Sequence, residues 1–455
     1  MWDDSLDRAQ RFAREWLASL PGRPVGLPVD AGAMRARLDG PLPPEGLPAT
    51  QVLDELAAAL EPGLVATGGP RYFGFVTGGA LPAALGADWM VSATDQNAAA
   101  AVMSPAAAAV EAVTTRWVLD LLGLPSDAAI GFVTGAQMAN VSCLAAARHA
   151  LLDAQGWDVG ADGLAGAPAP TVLVGGKVHS TVLQALRLLG FGSERAVRVP
   201  ADDQGRMRPD LLRDLLASLD GPVLVCAQAG QVDTGACDPL DAIADLVHAR
   251  EQAWLHVDGA FGLWAAAAPS RRHLVTGVER ADSWAVDAHK WLNVPYDSGL
   301  AIVRDPAALT RALSLSAAYL AVDAQDPSGR TPESSRRDRA LPVYAAVRSL
   351  GRRGVADLVE RCCALARQAA EELGRHPGVE VLAEVELNQV LFRPRGVDPA
   401  ELSRAVARDG TCWVGTTVWA DRPAVRFSVS NWSTTPEDIS RSVTAITAAI
   451  DRATG

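Results

Sequence analysis

The sequence has little of several features that mark particular classes of protein. Its 6 cysteines in 455 residues form no C-x-x-C pair and have no metal-ligand spacing, so neither a disulfide framework nor a metal site is indicated. Basic residues are outnumbered, 41 against 53 acidic ones, and a net charge of -12 disfavours binding to nucleic acid or anionic lipid. We therefore expect a reduced, cytoplasmic, metal-free protein whose partner is a small molecule.

Long apolar runs are also missing. The alanine-rich stretch 98–113 is broken by Ser104, Pro105 and Glu111, and the acidic N-terminus has no basic region followed by an apolar one. Neither membrane spanning nor export is therefore expected. The chain is long, however, and its hydrophobic share of 49 % is enough for a large core divided among two or three domains.

The first segment has the pattern of an amphipathic helix. Apolar residues recur at helical spacing as far as Leu20, and proline and glycine then crowd residues 21–50. This pattern predicts a helical arm over residues 1–65 that packs on another surface, which could belong to a partner subunit.

The middle of the chain alternates short apolar runs with helix-length segments. Ser104-Pro105 opens a helix that Gly123 and Pro125 close. The later apolar runs have the composition of buried strands: 171–174, 196–199, 222–227, 254–258, 282–287 and 299–304. The alternation predicts an α/β domain with a largely parallel sheet, which we assign to residues 66–315.

The last third of the chain begins with a polar stretch. Residues 323–342 are too polar and turn-rich for a core, which favours a lid or a flexible linker. Helical and strand periods follow it. Residues 316–455 are therefore predicted to form a mobile loop and a small α+β C-terminal domain.

The strongest chemical signal is Lys290, in the segment AVDAHKWLNVPYDSG. A lysine at the end of a buried strand can have its pKa lowered by desolvation, so that its neutral amine attacks an aldehyde and forms a Schiff base. A lone lysine there could equally extend to solvent without any chemical role. The neighbouring signals favour the chemical role.

Asp258 ends the strand WLHVD, 32 positions before Lys290. A carboxylate against the pyridine nitrogen of pyridoxal phosphate (PLP) keeps that nitrogen protonated, and the small residue Ala260 leaves room for a flat ring. Capping a turn or a helix is the alternative role for such an aspartate.

Two further strand ends carry residues suited to the same cofactor. His179 precedes Ser180, a predicted helix N-cap, and its imidazole could stack on the cofactor ring; a structural histidine is the alternative. The segment VTGAQMAN lies between an apolar run and a helix predicted to begin near Met138. Its backbone N–H groups could bind phosphate, and it supplies four candidate residues: Thr134, Gly135, Ala136 and Gln137.

The carboxyl ends of strands in an open α/β sheet converge on one crevice, so these parts would meet in one site. Their order and spacing resemble the group II PLP-dependent decarboxylases, which include aromatic-L-amino-acid, glutamate and diaminobutyrate decarboxylases. The resemblance covers almost the whole chain and is carried by these segments: PRYFGFVTGGALPAALGADWM, SPAAAAVE, HVDGAFG, DAHKWLNVPYDSG and RFSVSNWSTTPED. It implies the aspartate-aminotransferase-like fold (PLP fold type I) with a mainly parallel seven-stranded sheet, a homodimer, and His289 among the cofactor-binding residues.

The cofactor site alone does not decide which bond to the α-carbon breaks. Tyr319 stands 29 positions after Lys290, just before the polar stretch. In the decarboxylases that the chain resembles, a tyrosine here protonates Cα after carbon dioxide leaves, whereas relatives that form aldehydes have phenylalanine. Tyr319 therefore favours simple decarboxylation, and a surface tyrosine without a catalytic role is the alternative.

Three residues are candidates for substrate binding. Arg426, taken to open the strand RFSVS, could bind the substrate carboxylate, or be an ordinary strand-edge arginine. Phe73 and Phe75 lie in a segment that resembles the substrate pocket of the family, but bulky apolar residues are also typical of a core. An aromatic substrate is favoured slightly over an acidic or diamino one.

The sequence thus predicts decarboxylation of an L-amino acid to the amine and carbon dioxide through a Schiff base on Lys290. An aminotransferase, aldehyde synthase or carbon-carbon lyase on the same PLP scaffold is the alternative. A non-catalytic dimeric interaction module is a third hypothesis, which PLP binding would distinguish from the other two.

Overall fold

The computed structural model describes residues 2–26, 29–314 and 327–455. Its helices are α1 (Trp2–Ser19), α2 (Ala31–Leu38), α3 (Ala49–Leu60), α4 (Pro82–Thr94), α5 (Pro105–Leu122), α6 (Ala136–Asp153), α7 (Val159–Asp162), α8 (Ser180–Leu188), α9 (Pro209–Ala217), α10 (Leu240–His248), α11 (Pro306–Leu313), α12 (Ala340–Gly374), α13 (Pro399–Asp409) and α14 (Pro436–Thr454). Its strands are β1 (Tyr72–Phe73), β2 (Ala129–Val133), β3 (Thr171–Gly175), β4 (Val197–Val199), β5 (Val223–Gln228), β6 (Ala253–Asp258), β7 (Ser283–Asp287), β8 (Gly299–Val303), β9 (Val379–Val381), β10 (Gln389–Pro394), β11 (Trp413–Trp419) and β12 (Arg422–Ser428).

The large sheet has seven strands in the order β2-β8-β7-β6-β5-β3-β4. Strands β7, β6, β5, β3 and β4 pair in parallel, and β8 runs antiparallel to both of its neighbours. The predicted fold, a mainly parallel seven-stranded sheet between helices, is confirmed. All six predicted strands are present with ends shifted by a residue or two, because buried parallel strands have the continuous apolar runs that sequence patterns detect.

Alternate side chains of a strand point to opposite sides of the sheet, and helices cover both sides, so all strands except the edge strand β4 are buried on both faces. On one face, Leu224 and Ala285 belong to the cluster that α6, α8 and α11 cover. On the other face, Val225 and Trp284 pack with α5, α9, α10 and α12. This two-sided packing leaves the strand ends as the part of the sheet that a small molecule can reach.

Helix α5 has the predicted ends. The Ser104 hydroxyl accepts a hydrogen bond from Ala107 N–H (3.3 Å), and Gly123 adopts the left-handed conformation (φ 66°) that ends many helices. Both features are local, which is why the sequence predicts them correctly.

The second sheet has five strands in the order β1-β11-β12-β10-β9. Two details differ from the sequence prediction: Arg426 lies inside β12 and does not open it, and β11 was not predicted. Ala420 and Asp421, between β11 and β12, both have positive φ, as in a type I′ hairpin turn, but neither is the glycine that would mark such a turn. Strand β1 pairs with β11 and so joins this sheet, although Tyr72 lies 341 positions before its partner Trp413.

The polar stretch 323–342 is only partly a loop, which corrects the prediction that it is too polar for a core. Helix α12 begins within it at Ala340, and the buried Asp338 carboxylate accepts hydrogen bonds from Ala340 and Leu341 N–H. The buried Arg336 guanidinium pairs with Glu111 of α5. Charged residues can be buried when they are paired or used as caps, and composition alone does not reveal the partners.

Helix α1 forms where the periodicity predicts it and contacts α3, but none of its residues is buried. Within residues 2–26, 29–314 and 327–455, no helix combines the length and the apolarity needed to cross a bilayer.

Arg71 connects the beginning of the chain to its end. Its guanidinium donates to the backbone oxygens of Pro21 (2.9 Å) and Thr411 (2.8 Å), and pairs with Asp438 at the start of α14 (2.9 Å). Both ionic side chains are largely shielded from water. Removing the cation would leave a poorly solvated carboxylate and two carbonyl oxygens without a donor.

We therefore expect Arg71→Met to lower the free energy of unfolding by about 3–5 kcal/mol, measured by urea denaturation. Arg352→Met is the matched control, because Arg352 pairs with Asp120 on the exposed surface and should cost less than about 1 kcal/mol. Equal losses of unfolding free energy in the two variants would show that the buried Arg71 contacts stabilise the fold no more than an exposed ion pair does.

Candidate active site

A cavity of about 310 Å³ opens at the carboxyl ends of the strands of the large sheet. All nine residues predicted to bind the cofactor line it: Thr134, Gly135, Ala136, Gln137, His179, Asp258, Ala260, His289 and Lys290. They follow β2, β3, β6 and β7, whose carboxyl ends lie at the same edge because these strands share one direction. The topology thus brings together residues that are up to 156 positions apart.

The N-terminus of α6 forms one wall of the cavity. The helix begins at Ala136, two residues before the predicted start, and its N-cap Gly135 has no side chain to cap it. A Cβ atom on Gly135 would meet His289 Cε1 at 2.9 Å, and one on Gly299 would meet Gly135 Cα at 2.4 Å. Glycine at both positions therefore lets the backbone of β8 approach this helix end closely.

His179 is the N-cap of α8, which corrects the prediction that Ser180 has this role. Its Nδ1 accepts from Thr181 N–H (3.3 Å) and lies 2.8 Å from the Thr181 hydroxyl. Burial lowers the pKa of His179, and the nearby Asp258 carboxylate opposes this effect. The result is a neutral, fixed imidazole at the side of the cavity.

The side chains of Asp258 and Gln228 make few hydrogen bonds with other protein groups. Asp258 Oδ1 accepts from Ala260 N–H (3.1 Å), and no cationic side chain of the described residues forms an ion pair with this carboxylate. Gln228 Nε2 is buried and has no hydrogen-bond partner within the described ranges. Both side chains line the cavity and can take a polar ligand.

Lys290 and His289 both contact Asp287, the last residue of β7. Lys290 Nζ lies 2.8 Å from Asp287 Oδ2, and His289 Nε2 lies 3.2 Å from Oδ1. Burial lowers the pKa of His289, although Asp287 opposes the shift. Asp287 was not predicted as a site residue, but its position, a charge at the end of a buried strand next to AHK, was an available signal.

Arg426 lies beside a carboxylate and not among the residues that line the cavity. Its Nη1 is 3.6 Å from Asp233 Oδ1, which also accepts from the Thr417 hydroxyl (2.8 Å). Burial lowers the pKa of Arg426 while Asp233 raises it. Asp233 follows Val232, which does line the cavity, so the pair lies near its edge.

The two candidate phenylalanines are not brought to the cavity. Phe73 is 1 % exposed, and its ring stacks on Phe427 with centroids 3.9 Å apart. Phe75 is 63 % exposed and stacks on Trp413 at 5.3 Å. Tyr319 lies outside the described residues.

Sequence reasoning missed six residues that line the cavity. Asp287, Thr181 and Phe261 lie within two residues of predicted ones, whereas the other three lie at or after the end of β5, where no motif marks them. The six are Thr181, Gln228, Gly230, Val232, Phe261 and Asp287. Their places depend on loops whose course the sequence does not reveal.

The residues of the cavity fit PLP. The start of α6 offers backbone N–H groups for a phosphate, Asp258 offers a carboxylate without a cation for the pyridine nitrogen, and Lys290 offers an amine for the aldehyde. The chain contains only two lysines, Lys177 and Lys290, and Lys177 is not among the residues that line the cavity.

Comparison with known proteins agrees with this fit. The model of the pyridoxal-dependent decarboxylase conserved domain matches residues 31–395. The chain is 31 % identical to an L-2,4-diaminobutyrate decarboxylase of Rhizobium meliloti, over 89 % of this chain and 83 % of that protein. It is 27 % identical to an aromatic-L-amino-acid decarboxylase of Bacillus atrophaeus, over 92 % and 89 %.

The fold is similarly close to a solved structure. Oryza sativa TDC, crystallised with PLP and tryptamine, superposes with a TM-score of 0.91 at 26 % identity and covers 99 % of this chain and 98 % of its own. The domain match, these relatives and the cavity lead to one conclusion: the chain belongs to the family of pyridoxal-dependent decarboxylases.

Proposed function

We propose that this PLP-dependent amino acid decarboxylase holds its cofactor on Lys290 and releases carbon dioxide from an L-amino acid in the cavity described above. The observation that carries the assignment is the meeting of Lys290, Asp258 and the N-terminus of α6 in one cavity. When bound, PLP supplies an electron sink for the pair of electrons left on Cα.

Each protein group has a role that follows from its chemistry. The Asp258 carboxylate keeps a proton on the pyridine nitrogen, because a buried anion favours the protonated partner. The neutral imidazole of His179 offers a flat face for stacking, and residues 134–137 bind the phosphate. These groups would hold the cofactor ring and phosphate in place, so Lys290 would be free to react with the aldehyde.

The substrate carboxylate is assigned to Arg426. This guanidinium contacts Asp233 at 3.6 Å and donates no hydrogen bond to a side chain or backbone group of the described residues, so it retains N–H donors for a carboxylate. We assign to Tyr319 the role of general acid, which donates a proton to Cα after carbon dioxide leaves. The family match and the relatives favour this decarboxylation over transamination, aldehyde synthesis or carbon-carbon cleavage.

Two substrate classes have support. An aromatic amino acid is the first candidate, because relatives are named for aromatic substrates and Phe261 and Val232 give the cavity apolar walls. A diamino acid is the second, because Asp233 would attract a cationic side chain and one relative is named for L-2,4-diaminobutyrate. The burial of Phe73 removes one argument for an aromatic pocket.

The homodimer and the cytoplasmic location also belong to this proposal, as do the three-part domain division at residues 65 and 315 and a binding-site role for Phe75. Phe73, predicted for the same role, is instead a core residue that packs on Phe427. Large apolar side chains remain exposed, including Trp2 of the arm, Phe75 and Val102, which is 90 % exposed. A second copy would cover them. Light scattering should give twice the chain mass of 47.6 kDa, and a monomer at all concentrations would contradict the dimer.

The central test uses the two lysines of the chain. After borohydride reduction of the PLP-loaded enzyme, peptide mapping should find the cofactor on Lys290, and Lys290→Ala should lose the visible absorbance and amine formation from every amino acid supplied. Lys177→Ala is the matched control, since Lys177 lies over the Trp419 ring at 4.8 Å and should retain both. Label on Lys177 would overturn the assignment.

Tyr319→Phe should lower the turnover to amine by about a hundredfold or more, because a positioned general acid contributes roughly that factor. Amine and aldehyde products are both quantified, and the visible absorbance should be unchanged. Tyr344→Phe is the control. Tyr344 lies in α12 and its ring stacks on that of Trp117 in α5, with centroids 4.8 Å apart, so turnover should stay near that of the wild type. Undiminished amine formation by Tyr319→Phe would exclude this proton donor.

A further inference from the structure

Asp287 contacts three parts of the cavity wall: the start of α6, His289 and Lys290. Its side chain is 3 % exposed. Oδ1 accepts from the backbone N–H of Ala136 (2.5 Å), the first residue of α6, and Oδ2 contacts the Lys290 amine (2.8 Å). The carboxylate thus caps, from another element, a helix whose own N-cap is glycine.

His289 completes the arrangement, and its tautomer follows from its neighbours. Its Nδ1 accepts from Ser298 N–H (3.3 Å), so in the neutral ring the proton is on Nε2, which faces Asp287 Oδ1 at 3.2 Å. The ring of Tyr296 packs on the other side, with centroids 4.3 Å apart. A helix N-terminus, an imidazole N–H and an ammonium therefore all converge on one carboxylate.

The same helix N-terminus is where the proposed function puts the cofactor phosphate, and this inference rests on that function. The Asp287 carboxylate and the cofactor phosphate would then both need the backbone N–H groups at the start of α6. A carboxylate that already uses Ala136 N–H makes the helix end less attractive to a second anion, both by occupying a donor and by repulsion at short range.

We propose that Asp287 is a positioning residue that fills the anion-binding end of α6 and holds Lys290 in the cofactor-free protein, so that the carboxylate and the cofactor phosphate compete. The cost of this competition falls on the phosphate and not on the pyridine ring. Affinity for a phosphorylated pyridine should therefore respond to the charge of residue 287, and affinity for an unphosphorylated one should not.

The test compares Asp287→Asn with the wild type, because asparagine keeps the shape and an acceptor oxygen but removes the charge. Dissociation constants are measured by calorimetry for pyridoxamine phosphate, pyridoxamine and inorganic phosphate, none of which can bond covalently to Lys290. We expect the variant to bind both phosphate compounds about three- to thirtyfold more tightly and pyridoxamine equally well, the range expected for one charge at a helix N-terminus.

Asp398→Asn is the matched control. Asp398 caps α13 by accepting from Ala400 N–H (2.9 Å) and Glu401 N–H (3.1 Å). This helix packs on the five-stranded sheet and Asp398 does not line the cavity, so the substitution should change none of the three constants. Asp287→Ser, which also lacks the charge, replaces the asparagine variant if that one does not fold.

Unchanged or weaker binding of the phosphate compounds by a folded Asp287 variant would overturn the competition. Equal tightening for pyridoxamine would overturn it as well, because the phosphate would not be involved. Failure of the proposed function gives a different result: the wild type would then bind neither pyridoxamine phosphate nor PLP.

Discussion

Strands β2, β3, β5, β6 and β7 run in one direction, and the active site depends on this shared direction. Each strand is buried on both faces, so most of its side chains are used for packing, and only residues at or just after its carboxyl end can serve chemistry. Asp258 and Asp287 end adjacent strands, β6 and β7. The spacing of neighbouring strands therefore sets the distance between the carboxylate proposed for the pyridine nitrogen and the carboxylate that contacts Lys290.

The electrostatics of the cavity follow from burial. Three carboxylates, those of Asp233, Asp258 and Asp287, lie in or beside it, and two of them are paired with Arg426 and Lys290. Asp258 has no cation partner among the described residues. Its carboxylate is therefore available to pair with the protonated pyridine nitrogen that the proposed function requires. Buried histidines, in contrast, stay neutral because desolvation disfavours the imidazolium, so stacking and hydrogen bonding are their available roles.

The small five-stranded sheet contributes through connections that span most of the chain. Strand β1 pairs with β11, Arg71 binds the start of α14, and Arg426 of β12 contacts Asp233 in the loop after β5 of the large sheet. These contacts hold the candidate carboxylate-binding arginine against the loop that lines the cavity. Packing between the two sheets therefore affects the position of Arg426, whereas the residues that line the cavity all belong to the large sheet and its loops.

The sequence by itself predicted six strands of the large sheet, the ends of α5 and nine residues that line the cavity, because apolar runs, caps and strand-end charges are properties of neighbouring residues. Only the tertiary structure decided the contact of Arg426 with Asp233, the burial of Phe73 against Phe427 and the cap that Asp287 gives to α6. Each of these joins residues more than 150 positions apart. Such contacts depend on how whole elements pack, and no local pattern of residues encodes them.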